Sequence, residues 1–284
     1  MPNVQCKDIQ SIRDLLTHLA DDTKIWTRDG FAKPWFRGVT DAACHKLVPS
    51  ILRGNNKLKE FPLTKKFRLM APGYGATPDT DRLDQWLFLM QHHRVPTRLL
   101  DWTESPLAAA FFAAEKAATL ESNNSEIKDD AAIYALDPMS LNKQAGIIDE
   151  WGKPSFPVTW TPNSVFQTIK FAFGTQNECV CGPDGKAIQY LQFPVAIYPS
   201  TVHARMSSQR GCFTLHGADD RDFESIFSDT PLITEMQFIK YRIPKEYVAS
   251  VFRELSEIGI THAALFPDFD GLARELRYCF GITS

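Results

Sequence analysis

The 284-residue chain carries 31 basic and 34 acidic side chains, a formal charge of −3. That balance excludes a uniformly basic surface of the kind that grips duplex DNA, although it leaves room for a local cationic groove. Apolar residues make up 44% and charged residues 23%, proportions that support a buried core, and no run nears the roughly 20 apolar residues of a membrane helix.

The opening residues, MPNVQCKDIQ, show no basic segment followed by an apolar stretch, so no secretory leader and a cytoplasmic location are expected. Residues 7–20 set Ile9, Ile12, Leu15, Leu16 and Leu19 at helical spacing, which predicts an amphipathic lead-in helix. PWFRGV (34–39) is short, aromatic and β-branched, and predicts a strand. Residues 81–93 return to helical spacing through Leu83, Trp86, Leu87 and Met90. VPTRLLDWT (95–103) then runs into SPLAAAFFAAEKAATL, where Ser105 suits a helix cap and Pro106 the first turn. That helix is apolar on several faces and is expected to be largely buried.

ESNNSEIKDD (121–130) reads as a polar loop and AAIYALDP (131–138) as a strand. The stretch from about 150 to 185, rich in Pro, Trp and Gly, gives no clear element. IQYLQFPVAIY, RGCFTLHG and ITEMQFIKYRI predict three strands, and PKEYVASVFRELSEIG predicts a helix closed by Gly259. ITHAALF then predicts a last strand and GLARELRYCF a last helix, with Asp270 of PDFDG as its cap. No linker sets off an independent half, so residues 1–284 are expected to form a single domain. Strands interrupted irregularly by helices indicate an α+β class.

Of the six cysteines, only Cys179 and Cys181 lie close, at a spacing unlike that of zinc knuckles, so reduced and mostly buried thiols are expected. His92 and His93 are adjacent on a predicted helix and point about 100° apart, which does not favour one shared metal ion. No metal site is expected.

Three segments far apart in the chain together resemble the FRG domain. They are WFRGV (35–39) followed by LVPSILR (47–53), then QHHRVPTRLLDWTESPLAAAFFA (91–113), then QRGCFTLHG (209–217) with GITHAALFPDFDGLA (259–273). The middle block is the specific one; the family typically reads close to QH-aromatic-Gly-x-PTRLLDWT there. His93 and Arg94 depart from it, and Arg94 puts a bulky cation where a turn glycine is usual.

The layout is in turn similar to arginine-first ADP-ribosyltransferases. That resemblance implies a split mixed β-sheet core with flanking helices, NAD as substrate, and transfer to an RNA or protein acceptor. It also implies an intracellular toxin or anti-phage effector, with a neutralising antitoxin covering the cleft and no membrane partner. Arg37 would clamp phosphate or ribose oxygens, and Gly38 would let the backbone approach the cofactor. Gln91, Thr97, Arg98, Trp102 and Thr103 would supply the central part of the site, with Phe213 or Trp102 stacking on nicotinamide. Asp101, Gln209 and Glu235 are the candidates for the catalytic polar roles, Gln209 standing where many transferases place Glu. Arg37, Thr97 and Gln209 should then converge on one cleft.

Each residue also has a structural reading. Arg37 pairs with Asp101 or Asp268, Arg98 bridges to Asp101, Thr97 satisfies a strand end, Thr103 supports the following helix, and the tryptophans fill the core. A glutamine cannot act as a general base, so Gln209 favours the alternative of a non-catalytic nucleotide- or partner-binding module. A metal-dependent nuclease, the third reading, lacks a ligand cluster in the sequence.

Overall fold

The computed structural model of the protein describes residues 5–26, 33–118, 126–145, 193–199, 204–217, 219–229 and 238–282. The sequence expectations that fall on Cys179, Cys181, Glu235 and residues 150–185 lie outside the described residues.

Seven described strands form one mixed sheet: β1 (Gln5–Asp8), β2 (Trp35–Val39), β3 (Leu99–Thr103), β4 (Ala131–Leu136), β5 (Val195–Ile197), β6 (Gly211–Leu215) and β7 (Phe238–Ile243). Their order is β1-β7-β4-β2-β3-β6-β5, with β1 parallel to β7 and every other pairing antiparallel. The helices are α1 (Ile12–Trp26), α2 (Glu60–Met70), α3 (Leu83–His92), α4 (Pro106–Ala114) and α5 (Pro138–Gln144) in the first half. They continue as α6 (Ala204–Ser208), α7 (Phe223–Asp229), α8 (Lys245–Glu257), α9 (His262–Leu265) and α10 (Phe269–Cys279). The class is α+β, and none of these helices is long and apolar enough to cross a membrane.

Side-chain alternation divides the core. Phe36, Ile133, Ala135, Ile239 and Tyr241 face α1, α4 and α8 on one side of the sheet. On that same side, across the centre, Leu99, Phe213 and Leu215 pack against α3. Trp35, Val39, Leu100, Trp102 and Tyr134 face the other way, over Leu47 and Phe223.

Helix α4 lies closest to the sheet, and Gly38 is the reason. A Cβ there would stand 1.9 Å from the Ala109 carbonyl oxygen and 2.5 Å from the Ala113 nitrogen. The approach that Gly38 permits is therefore that of a helix; its expected service to a cofactor is not what its missing side chain provides. Ser105 caps α4 by accepting from the Ala108 amide at 3.2 Å, and Pro106 opens it.

The sheet parts at its middle. Strands β2 and β4, like β3 and β6, stay in register over five residues, but β2 and β3 share a single registered pair, Phe36 opposite Thr103. Beyond that pair the two strands diverge.

Four expectations need correction. The lead-in helix does not begin at residue 7: Gln5–Asp8 form β1 beside β7, and the helix starts after Ser11, whose Oγ accepts from the Asp14 amide at 3.2 Å. ITHAALF forms α9, because the Glu275 carboxylate accepts from Thr261 Oγ1 at 2.5 Å and from the Ala263 amide at 2.8 Å, closing a helical turn. Asp268, not Asp270, caps α10 by accepting from the Gly271 amide at 2.7 Å. Among the described cysteines, all free, Cys212 is buried while Cys6, Cys44 and Cys279 are exposed.

Candidate functional site

The divergence of β2 from β3 opens a cavity of about 540 Å³. On the helical side it is bounded by Phe112 and Glu115 at the end of α4, by Arg205 of α6, and by Gln209 and Phe213. Lys46, Ser50 and Arg53, from the loop after β2, bound it from beneath.

Arg37 sits at the parting point. By alternation it shares a face with Trp35 and Val39, opposite Asp101 and Phe213. The gap lets its guanidinium turn between the strands, where Nη1 donates to the Asp101 carbonyl at 2.6 Å. That carbonyl is a group a continuous β2–β3 ladder would have paired. Nη1 also stands 3.9 Å from Asp101 Oδ2, so the Arg37–Asp101 pairing is real and the Asp268 alternative is not. Arg37 Nε is buried without a hydrogen-bond partner among the described residues. Burial pushes the guanidinium below its ordinary value, Asp101 opposes that, and Arg53 adds to it. A buried N–H left unpaired costs about 1–3 kcal/mol, so this donor is a ready partner for an acceptor entering the cavity.

The central sequence block folds into one hydrogen-bonded chain. The Leu99 amide donates to Thr97 Oγ1 (3.1 Å), Thr97 Oγ1 donates to Gln91 Oε1 (2.5 Å), and Gln91 Nε2 donates to both Asp101 oxygens (3.1 and 3.0 Å). Thr97 thus fixes which end of the Gln91 amide faces Asp101. The Asp101 side chain, 59% exposed, is held in place while its outer edge stays open to the cavity.

Of the three residues expected to converge, Arg37 and Gln209 line the cavity. Thr97 does not; it is buried behind Gln91. Gln209 lies in the turn before β6 rather than on a late strand, and its Nε2 is spent on the Leu265 carbonyl at 3.0 Å. Thr103 lines the cavity, but its hydroxyl donates to the Gln209 carbonyl at 2.6 Å and accepts from the Ser105 amide at 2.9 Å, the helix-supporting role.

Arg98 is displaced from its expected place. It is buried away from the cavity, with Nε and Nη2 on the Glu60 carboxylate (2.6 and 2.7 Å) and Nη1 on the Gly217 carbonyl (2.6 Å). The expected bridge to Asp101 is absent because Asp101 points to the other face of β3. Trp102 lines the cavity, but its ring packs on Phe223, with Nε1 donating to Thr214 at 3.0 Å. Phe213, tilted on Phe88 with centroids 5.3 Å apart, lines the cavity together with Phe88 and Phe112.

The sequence reading passed over Glu115. It lines the cavity, and burial holds its carboxyl above the usual range against the pull of Arg274, Arg94 and Arg205. The signal was available, as the first charge to interrupt the apolar run PLAAAFFAA of α4. In all, five cations (Arg37, Lys46, Arg53, Arg94, Arg205) and two carboxylates (Asp101, Glu115) bound the cavity, in a chain whose total charge is −3.

Residues 32–122 match the sequence profile of the FRG domain. The match covers Arg37, Gln91, Asp101, Thr103 and Glu115, and stops short of Gln209 and Phe213. No curated protein and no solved structure matches the chain.

Proposed function

We propose that the chain bearing this FRG-domain segment is an NAD-dependent ADP-ribosyltransferase, acting inside the cell as a toxin or anti-phage effector on an RNA or protein acceptor. The observation that carries the reading is Arg37: a guanidinium set where the sheet splits, with a buried unpaired Nε, in a cavity whose charge is positive. The volume of about 540 Å³ falls in the range of about 300–1,000 Å³ typical of small-molecule sites. The split between β2 and β3 agrees with the divided sheet that the transferase resemblance implies.

Cleaving the nicotinamide–ribose bond leaves positive charge on the ribose as the neutral base departs. Arg37, with Arg53 beside it, would hold the diphosphate by directed N–H donors. Phe213 offers its ring to nicotinamide. Asp101, oriented by Gln91 and Thr97, would face the developing positive charge; a carboxylate fixed before the reaction needs no reorganisation during it.

A second reading, a binding module without catalysis, rests on Gln209, whose amide is committed to Leu265 and cannot take a proton. Incubation with NAD labelled in its adenylate half, alone and with RNA or protein pools, separates the two. Release of nicotinamide with label passing to one pool supports the transferase. Binding of NAD with neither release nor transfer supports a nucleotide-binding module, and absence of NAD binding rejects the transferase and leaves only a partner-binding module.

A further inference from the structure

We propose that the Arg94–Arg205 end of the cavity is the acceptor subsite, and that it takes single-stranded RNA, with Glu115 receiving the proton of a ribose hydroxyl. The inference rests on the transferase reading and names its acceptor.

The cavity's five cations divide by place in the fold: Arg37 with Lys46 and Arg53 of the loop after it on one side, and Arg94 after α3 with Arg205 of α6 on the other. Asp101 acts on both Arg37 and Arg205, which sets it between the groups. One diphosphate needs one pair, so the second pair is left for another anion. Glu115 stands with that second pair. Its carboxylate makes no hydrogen bond or ion pair among the described residues, whereas the Asp101 carboxylate is held by Gln91 and the Gln209 amide by Leu265. Glu115 is thus the cavity's uncommitted carboxylate, and its burial makes it the better proton acceptor.

Arg94 gives the second sign of purpose. It ends the turn after α3 at φ 59°, the left-handed region that glycine adopts freely and arginine does not. A bulky cation is kept there, exposed, on the cavity's edge. Arg205, half-buried, is stacked over the Phe266 ring at 4.3 Å and so is held in place. A fixed guanidinium with a second cation at the rim, next to a free carboxylate, suits a phosphate with a reactive hydroxyl close by. An RNA strand supplies a hydroxyl beside every phosphate, whereas DNA supplies one only at its ends.

In the step, the hydroxyl oxygen forms a bond to the ribose carbon of the donor as the bond to nicotinamide breaks. The electron pair leaves with nicotinamide, and the hydroxyl proton passes to the Glu115 carboxylate and then to water. No oxidant or further reactant is needed.

The test uses a 12-nucleotide RNA, the DNA of the same sequence with a blocked 3′ end, and a protein extract, each with labelled NAD. Arg94→Gly is the chief variant, because it removes the cation while easing the backbone, so loss of fold does not confuse the result. Arg205→Ala is the second, checked by its melting curve. Each should weaken RNA binding about tenfold and lower the slope of log affinity against log salt by about 0.7, one phosphate contact on a single strand. Glu115→Gln should bind both ligands yet lose label transfer to RNA. Unchanged RNA affinity and salt slope in both arginine variants overturn the subsite, and label entering DNA or protein as readily as RNA overturns the acceptor. Wild-type protein that binds RNA through Arg94 and Arg205 but never binds NAD leaves the RNA subsite standing and removes the transferase reading beneath it.

Discussion

Arg37 serves the sheet and the cavity with a single side chain. One nitrogen replaces a missing strand hydrogen bond and another remains unpaired in the cavity. Gln209→Ala removes one bond to Leu265 and no charge, so nicotinamide release should fall less than threefold while the melting point drops; loss of all turnover would restore Gln209 to the chemistry. Arg98 shows the contrary case, a conspicuous motif residue whose donors are spent inside the core. Arg98→Met should cost about 3–5 kcal/mol, because Glu60 would stay buried without its partner. Pairing it with Glu60→Leu should recover most of that loss, as denaturant titration of the three variants would show.

His216 gives a pH signature. It is fully buried, and burial and the Arg98 cation hold its imidazole down at about 3, against an ordinary 6.5. Between those values the unfolded chain binds the extra proton, so this contribution is complete above pH 6.5 and is lost as the pH falls toward 3. Urea unfolding should show wild type losing about 2 kcal/mol more than His216→Gln between pH 7.5 and pH 5. Equal losses would mean that the folded imidazole titrates normally.

At the scale of elements, β2 and α4 form the unit that places the cavity, and Gly38 is its closest contact. Gly38→Ala drives a methyl into the α4 backbone and should cost about 3 kcal/mol or more. A melting curve close to that of wild type would show that α4 can retreat. Legibility divides at this scale as well. Helices α3, α4, α8 and α10 were readable because their apolar content is local, although the cap of α10 was placed two residues late. Strand β1 was not, since its partner β7 lies more than 200 residues away and nothing within Gln5–Asp8 announces the pairing. Nor was α9, a four-residue helix whose Thr261 cap is held in place by Glu275 on the next helix. In the site, Arg37 and Asp101 were legible as residue types within a motif. The direction of Arg98 and Trp102 was not, because it depends on the alternation of β3 and of the residue leading into it.

At the scale of the whole molecule, the decisive feature is where charge gathers. A chain of net charge −3 gathers five cations around one cavity, which draws an anionic ligand to it. NAD at a hundred times its dissociation constant should raise folding stability by about 2.7 kcal/mol, and added salt should diminish the gain. The most direct test is nicotinamide release by wild type and by Arg37→Lys, each with its melting curve. The lysine keeps the charge but lacks the planar donors. Wild type should release nicotinamide, and Arg37→Lys, still folded, should do so about a hundredfold more slowly. Undiminished release by a folded Arg37→Lys would remove Arg37 from the site and contradict the proposed function at its centre.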